Sequence, residues 1–214
     1  MNDNDYFYDA AIRLRSFQDR SPTLSGQFLV SCRFIEKKNL LRLLRAYAMY
    51  LERHAEAAFE LSILGDGELR PDVESLIVEL KLSDHVHLHG FQQYKDLPKF
   101  YARASAFVHP STVEQWGLVV NEAMASGLPV LVSHTTGCSE DLVQANVNGF
   151  VFDPYSIEDI SAALYKMATM APEQRLAMGL ASQRIISNWG MDRFAHGLQQ
   201  AIECARSSQM SRPS

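Results

Sequence analysis

Cysteine is scarce: Cys32, Cys138 and Cys204 are the only three in 214 residues. They are odd in number, widely separated and outside any C-x-x-C spacing, which argues against a disulfide framework or a zinc knuckle and fits a reducing, cytoplasmic setting. Long apolar runs are also missing. No stretch approaches the roughly 18 to 20 apolar residues that span a bilayer, so no membrane crossing is expected. The opening Met1-Asn2-Asp3-Asn4-Asp5-Tyr6-Phe7-Tyr8-Asp9 lacks the basic and apolar regions of a signal peptide. Positive charge is in deficit, with 20 Lys and Arg against 25 Asp and Glu and a formal charge of −5. That balance disfavours nucleic acid and anionic lipid as partners and leaves any anionic ligand to a local site. No G-x-G-x-x-G turn follows the first apolar run, which removes the main support for an NAD-dependent oxidoreductase.

With 47% hydrophobic and 21% charged residues the chain has the composition of an ordinary globular protein, and its length suits one ample domain better than two. Short apolar runs alternate with helical patterns, the signature of βαβ units and an α/β fold. The pattern predicts strands over residues 28–30, 59–64, 85–89, 104–109, 130–132 and 150–152. It predicts helices over 39–54, 69–82, 94–103, 117–126, 139–144, 156–170, 172–187 and 191–205, with a frayed polar tail from Ser207. Asn39 is the expected N-cap of the first of these helices, Pro71 lies in the first turn of the next, and Gly127 is placed to end the helix after Gly117. About six parallel strands make a Rossmann-like, doubly wound sheet, whose ligands sit in the loops at the carboxyl ends of the strands.

The first such loop, from Ser31 to Asn39, carries Arg33 and Lys38, which suit a diphosphate. The same residues also fit a solvated basic turn. Gly65-Asp66-Gly67 reads first as a turn and second as a close approach to a nucleotide. His85, His87 and His89 alternate and would share one strand face. A metal site there is weighed against an ordinary half-exposed strand, and the strand is preferred. Phe91 and Gln92 follow on the ligand side, where the alternative for Phe91 is plain packing. The strongest signal is the fourth loop. Glu114 precedes a helix beginning near Gly117, Glu122 lies eight positions further on, and the amides of Gly117, Leu118 and Val119 offer an anion site. Glu114 and Glu122 read equally well as a loop acid and an exposed helical acid. Cys138, in the fifth loop, reads as a buried structural cysteine rather than a nucleophile.

Taken in order, Arg33 to Lys38-Asn39, Leu64-Gly65-Asp66-Gly67, Gly90-Phe91, Glu114 and Glu122 in a Glu-x7-Glu frame, Glu122-Ala123-Met124-Ala125-Ser126-Gly127-Leu128-Pro129-Val130, Gly137 with Glu140, and Asn148-Gly149-Phe150 resemble the nucleotide-sugar-binding half of retaining GT-B glycosyltransferases. This is the "group 1" family, which includes glycogen synthases and bacterial mannosyltransferases. The resemblance covers roughly residues 25 to 205. It implies that Arg33 and Lys38 neutralise the donor diphosphate and that the amides of Gly117, Leu118 and Val119 bind its distal phosphate. It places Glu114 on the donor sugar, Glu122 on the ribose and the backbone around Phe91 and Gln92 on the base. Two departures are Cys32 in place of the usual Gly and Thr136-Gly137 in place of Gly-Gly, and both crowd the ligand's approach to backbone.

The resemblance further implies an interdomain lead-in over residues 1–24, the nucleotide-sugar domain over 25–188, a crossing helix over 189–207 and a disordered tail over 208–214. The acceptor-binding half is expected in a missing N-terminal domain or a partner chain. The expected activity is retaining transfer of a hexosyl group from a UDP-, GDP- or ADP-sugar to a glycan or lipid-linked hydroxyl acceptor. No metal or other cofactor is required, and any peripheral membrane association would belong to the complete enzyme. The alternatives are a non-catalytic nucleotide-binding module or one subunit of a split glycosyltransferase.

Overall fold

The computed structural model describes residues 4–17 and 26–210. Its strands are β1 (Gln27–Ser31), β2 (Glu60–Leu64), β3 (Val86–Gly90), β4 (Ala106–His109), β5 (Val130–Ser133) and β6 (Gly149–Phe152). The helices are α1 (Asn4–Phe17), α2 (Leu40–Arg53), α3 (Arg70–Glu79), α4 (Leu97–Arg103), α5 (Leu118–Ala125), α6 (Ser139–Leu142), α7 (Ile157–Ala168), α8 (Pro172–Ser187) and α9 (Met191–Met210). The strands form one parallel sheet in the order β3-β2-β1-β4-β5-β6. That is the Rossmann-like α/β architecture expected from the sequence, and the order reverses between β1 and β4.

Period-two alternation sends successive strand residues into two separate cores. Phe28, Val30, Ala106, Val108 and Leu131 face α2, α3 and α7, whereas Leu29, Phe107, Val130 and Val132 face α1, α4, α5 and α8. On α2, Leu40, Leu43, Leu44, Tyr47 and Tyr50 recur at helical spacing and are buried. Each such side chain contributes about 1.5–3 kcal/mol of burial.

Several elements depart from the sequence pattern. The segment expected as a lead-in contains α1, which packs on α4 and α5 through Phe7 and Ala11, both fully buried. Residues 18–25, the remainder of the approach to β1, lie outside the described residues. The helix expected over 94–103 is a 3-10 turn, Tyr94–Asp96, followed by α4, whose first turn holds Pro98. At the far end α9 continues through Met210 where fraying was expected from Ser207, while 211–214 lie outside the described residues. Asn39 does not cap α2 with its side chain. It adopts a left-handed conformation (φ 61°), and its Nδ2 donates instead to the carbonyls of Pro110 (3.0 Å) and Pro154 (2.8 Å).

Candidate functional site

The carboxyl ends of β1 and β4 diverge into loops that are then tied together by backbone and side chain. Asn39 clamps the β1 loop to the segments after β4 and β6, and Arg42 braces it by donating to Asn39 Oδ1 at 2.6 Å. Thr112 N donates to Lys37 O at 2.9 Å, which fixes the β4 loop against the 3-10 turn Glu36–Lys38. On the other side Gly137 N donates to Glu114 O at 2.9 Å, and Cys138 N to Trp116 O at 3.1 Å. Gly65 is required for packing of the β1 loop: its φ is +120°, and a Cβ there would meet Cys32 O at 1.8 Å. The Gly65-Asp66-Gly67 turn is therefore explained by contact with the first loop.

This scaffold brings Lys38 and Glu114 into a direct ion pair, both side chains about 15% exposed. Burial raises the Glu114 carboxyl, but the hydrogen bond and charge of Lys38 outweigh it and hold the group below its ordinary range. Beneath the pair lies His109, the last residue of β4 and 1% exposed. Its Nε2 is 3.8 Å from Glu114 Oε2, beyond hydrogen-bond range, and has no hydrogen-bond partner among the described residues. Burial, and then the charge of Lys38, push its pKa down to about 4, so the imidazole is neutral at pH 7.

Gly117 precedes α5 with φ +97°, a left-handed conformation that turns the chain into the helix. A Cβ at Gly117 would stand 3.1 Å from Thr136 Cγ2 and 3.5 Å from His109 Nε2. The helix begins at Leu118, one residue later than its pattern suggests, with Leu118 exposed and Val119 half-buried at its open end. The first turn is the positive end of the α5 dipole, and it follows directly on the loop that carries Glu114.

Glu122 is not the exposed helical acid that remained open from periodicity. It is 8% exposed, and its Oε2 accepts a hydrogen bond from the Tyr101 hydroxyl at 2.8 Å. The reason is that α1 and α8 cover the outer face of α5, leaving it buried on nearly every side. Burial raises the Glu122 carboxyl to about 7, against the opposing effect of the Tyr101 hydrogen bond. Arg33, in the β1 loop, is exposed. Phe91 and Gln92 leave β3, two strands away from β1; Phe91 is 71% exposed rather than packed, and Gln92 turns back to donate to His89 O at 2.7 Å.

The histidine strand holds no metal cluster: among the described residues no three His, Cys, Asp or Glu side chains converge. His87 stands 3.3 Å from Glu60, and His89 pairs with Ser62 at 3.0 Å. Burial drives the thiols of Cys32 and Cys138 up to about 12, so both stay protonated. No described helix is long and apolar enough to cross a membrane.

The sequence pattern passed over two residues, His109 and Tyr101. A histidine as the final residue of a strand beside the reversal of strand order was a usable signal for the first. Nothing local marked the second.

A family model described as "Glycosyl transferases group 1" matches residues 14–184. The chain belongs to the group 1 glycosyltransferases. Among its relatives, the uncharacterized glycosyltransferase MJ1607 of Methanocaldococcus jannaschii is 32% identical over 162 residues, covering 76% of this chain and 36% of the relative. The poly(glycerol-phosphate) alpha-glucosyltransferase of Bacillus subtilis is 26% identical over 186 residues, covering 85% and 27%. This glycosyltransferase chain thus spans about a third of the length of these curated relatives. The fold matches the sucrose-phosphate synthase of Thermosynechococcus elongatus with a TM-score of 0.78 at 22% identity, covering 97% of this chain and 52% of that one. It also matches S. aureus TarM, solved with UDP and a GlcNAc-glycerol, with a TM-score of 0.75 at 19% identity, covering 85% and 36%. The six-stranded sheet is accordingly a Rossmann-like domain of the GT-B type.

Proposed function

We propose that this domain binds a nucleoside-diphosphate sugar and presents it for retaining transfer of a hexosyl group to a hydroxyl acceptor. The observation that carries the reading is the pairing of Lys38 with Glu114, four residues before α5 begins, where the strand order reverses. Lys38 and Arg33 supply cations for the diphosphate, and the amides of Gly117, Leu118 and Val119 add fixed partial charges. As the bond from sugar to diphosphate breaks, negative charge grows on the leaving group, and these donors stabilise it where it develops. That arrangement lets transfer proceed without a metal ion. Glu114 accepts hydroxyl hydrogens of the donor sugar, Glu122 those of the ribose, and the backbone at Phe91 and Gln92 holds the base.

The acceptor, a glycan or lipid-linked hydroxyl, is held by a further domain or partner chain that completes the cleft and excludes water. These 214 residues alone bind nucleotide and transfer sugar negligibly. Calorimetry with UDP, GDP, ADP and NAD tests the reading. One nucleoside diphosphate is bound in preference to NAD, and Arg33→Ala weakens it by about tenfold, the loss of one charge-assisted contact. Preference for NAD, or robust transfer by the purified chain, overturns it.

A further inference from the structure

The buried, unpartnered Nε2 of His109 is the feature that the roles above leave unexplained. The imidazole stacks on Phe107 at 6.5 Å between ring centroids, and both side chains project from the α5 side of β4. Gly117 lies alongside, where a Cβ would stand in van der Waals contact with Nε2 at 3.5 Å. The Glu114 oxygen nearest to Nε2 is Oε2, the same atom that Lys38 engages. Two groups therefore stand ready for one oxygen, and in the structure Lys38 holds it.

We propose that His109 is a positioning residue for Glu114: when Lys38 turns to the donor diphosphate, the Nε2–H of His109 takes over Glu114 Oε2 and keeps the carboxylate aimed at the sugar. The inference rests on the roles proposed above for Lys38 and Glu114. A carboxylate that lost its ion-pair partner Lys38 to the ligand would be left largely buried without a direct partner, which is costly. A neutral imidazole with its hydrogen on Nε2 can donate to it without adding charge beside the diphosphate. Closing the 3.8 Å separation to hydrogen-bond length needs a shift of under 1 Å, within reach of a side-chain adjustment.

The test compares the wild-type chain with His109→Phe, which removes the donor, and His109→Gln, which places an amide N–H near the position of Nε2. Calorimetry uses UDP, GDP and ADP, each beside its glucose conjugate. His109→Phe is expected to lose about tenfold in affinity for the preferred diphosphate and for its conjugate alike, because either ligand takes Lys38 from Glu114, with His109→Gln restoring most of it. Imidazole 15N spectra supply a readout that a purely structural role would not move. Adding the diphosphate shifts the His109 Nε2–H signal to a hydrogen-bonded position in the wild type but not in Glu114→Gln. This spectrum decides the matter if His109→Phe does not fold, or if glucose is not the sugar held. An unshifted signal with bound diphosphate, or His109→Phe binding the conjugate like wild type, overturns the role of His109 and leaves the donor site intact. If the wild type binds none of the diphosphates, or Lys38→Met binds them equally well, the donor-site reading fails and this inference with it.

Discussion

The phenol of Tyr101 donates a 2.8 Å hydrogen bond to Oε2 of Glu122, joining α4 to α5 inside the core that α1 closes. Phe7 of α1 packs edge-on against the Tyr101 ring at 5.5 Å, so the first helix buttresses the tyrosine that holds the Glu122 carboxyl. Tyr101→Phe removes the donor and leaves a buried acceptor unsatisfied, at a cost of about 1–3 kcal/mol. Chemical denaturation of Tyr101→Phe, Glu122→Gln and the double variant measures this. The expected result is a double variant less destabilised than the sum of the singles.

Glu122 also gives stability a pH dependence. Its carboxyl has an ordinary pKa of 4.5 and is raised to about 7 in the fold, so the native state keeps a proton that the unfolded chain has lost. The contribution of this group is full below about 4.5 and declines as pH rises towards 7, by about 3 kcal/mol in all. Glu122→Gln flattens that slope in denaturation series. With Glu122 on the ribose, as proposed above, nucleotide binding follows the opposite course, because an ionised carboxylate is the better acceptor for ribose hydroxyls. Affinity rises as pH climbs through 7 in the wild type and stays level in Glu122→Gln.

His109 acts on the acid side. An unfolded histidine takes up its proton near 6.5 and the buried imidazole only near 4, so acidification through that window favours unfolding. The loss approaches about 3 kcal/mol by the lower limit. Denaturation midpoints of His109→Gln change less between those two pH values than those of the wild type. Equal slopes in both proteins would contradict the burial of a neutral imidazole.

Lys38→Met leaves Glu114 without its cation, and the carboxyl, no longer held down by that charge, moves up. The single variant is expected to lose more stability than Lys38→Met combined with Glu114→Gln, because one partner of a largely buried pair costs more to remove than both. Affinity for pyrophosphate falls by about tenfold or more in either variant, since the cation is absent from both. Thermal melts and calorimetry separate the two effects.

Gly117→Ala forces a β-carbon onto a residue at φ +97° and towards Thr136 Cγ2. A loss of about 1–2 kcal/mol is expected from the left-handed backbone alone. Phosphate binding at the start of α5 weakens in parallel. A variant as stable as the wild type would mean that the turn relaxes into another conformation.

Much of this fold is legible along the chain because its determinants are local. Leu40, Leu43, Leu44 and Tyr47 announce α2 by spacing, and Gly127, at φ +75°, ends the turn after α5 as its residue type suggests. Asn39 shows the limit of such reading. Its identity suggested a cap, yet its amide satisfies carbonyls 71 and 115 residues away, a choice made only once three loops meet. The α1 helix escaped the pattern for a related reason: its burial depends on the surface offered by α4 and α5.

The sequence by itself determined the alternation of strands and helices, the loops at the carboxyl ends of the strands and the Glu-x7-Glu frame, since periodicity and turn residues act over a few positions. Tertiary structure alone decided the partners. Lys38 reaches Glu114 across 76 residues because parallel strands bring distant loops to one edge of the sheet, and Tyr101 reaches Glu122 because α4 and α5 pack on the same face of that sheet. Those surroundings in turn set the ionisation of both acids: a cation holds Glu114 down, while burial beneath α1 and α8 raises Glu122 against the effect of its Tyr101 hydrogen bond. Two carboxylates of one motif thus acquire opposite electrostatic characters from surroundings that no local spacing encodes.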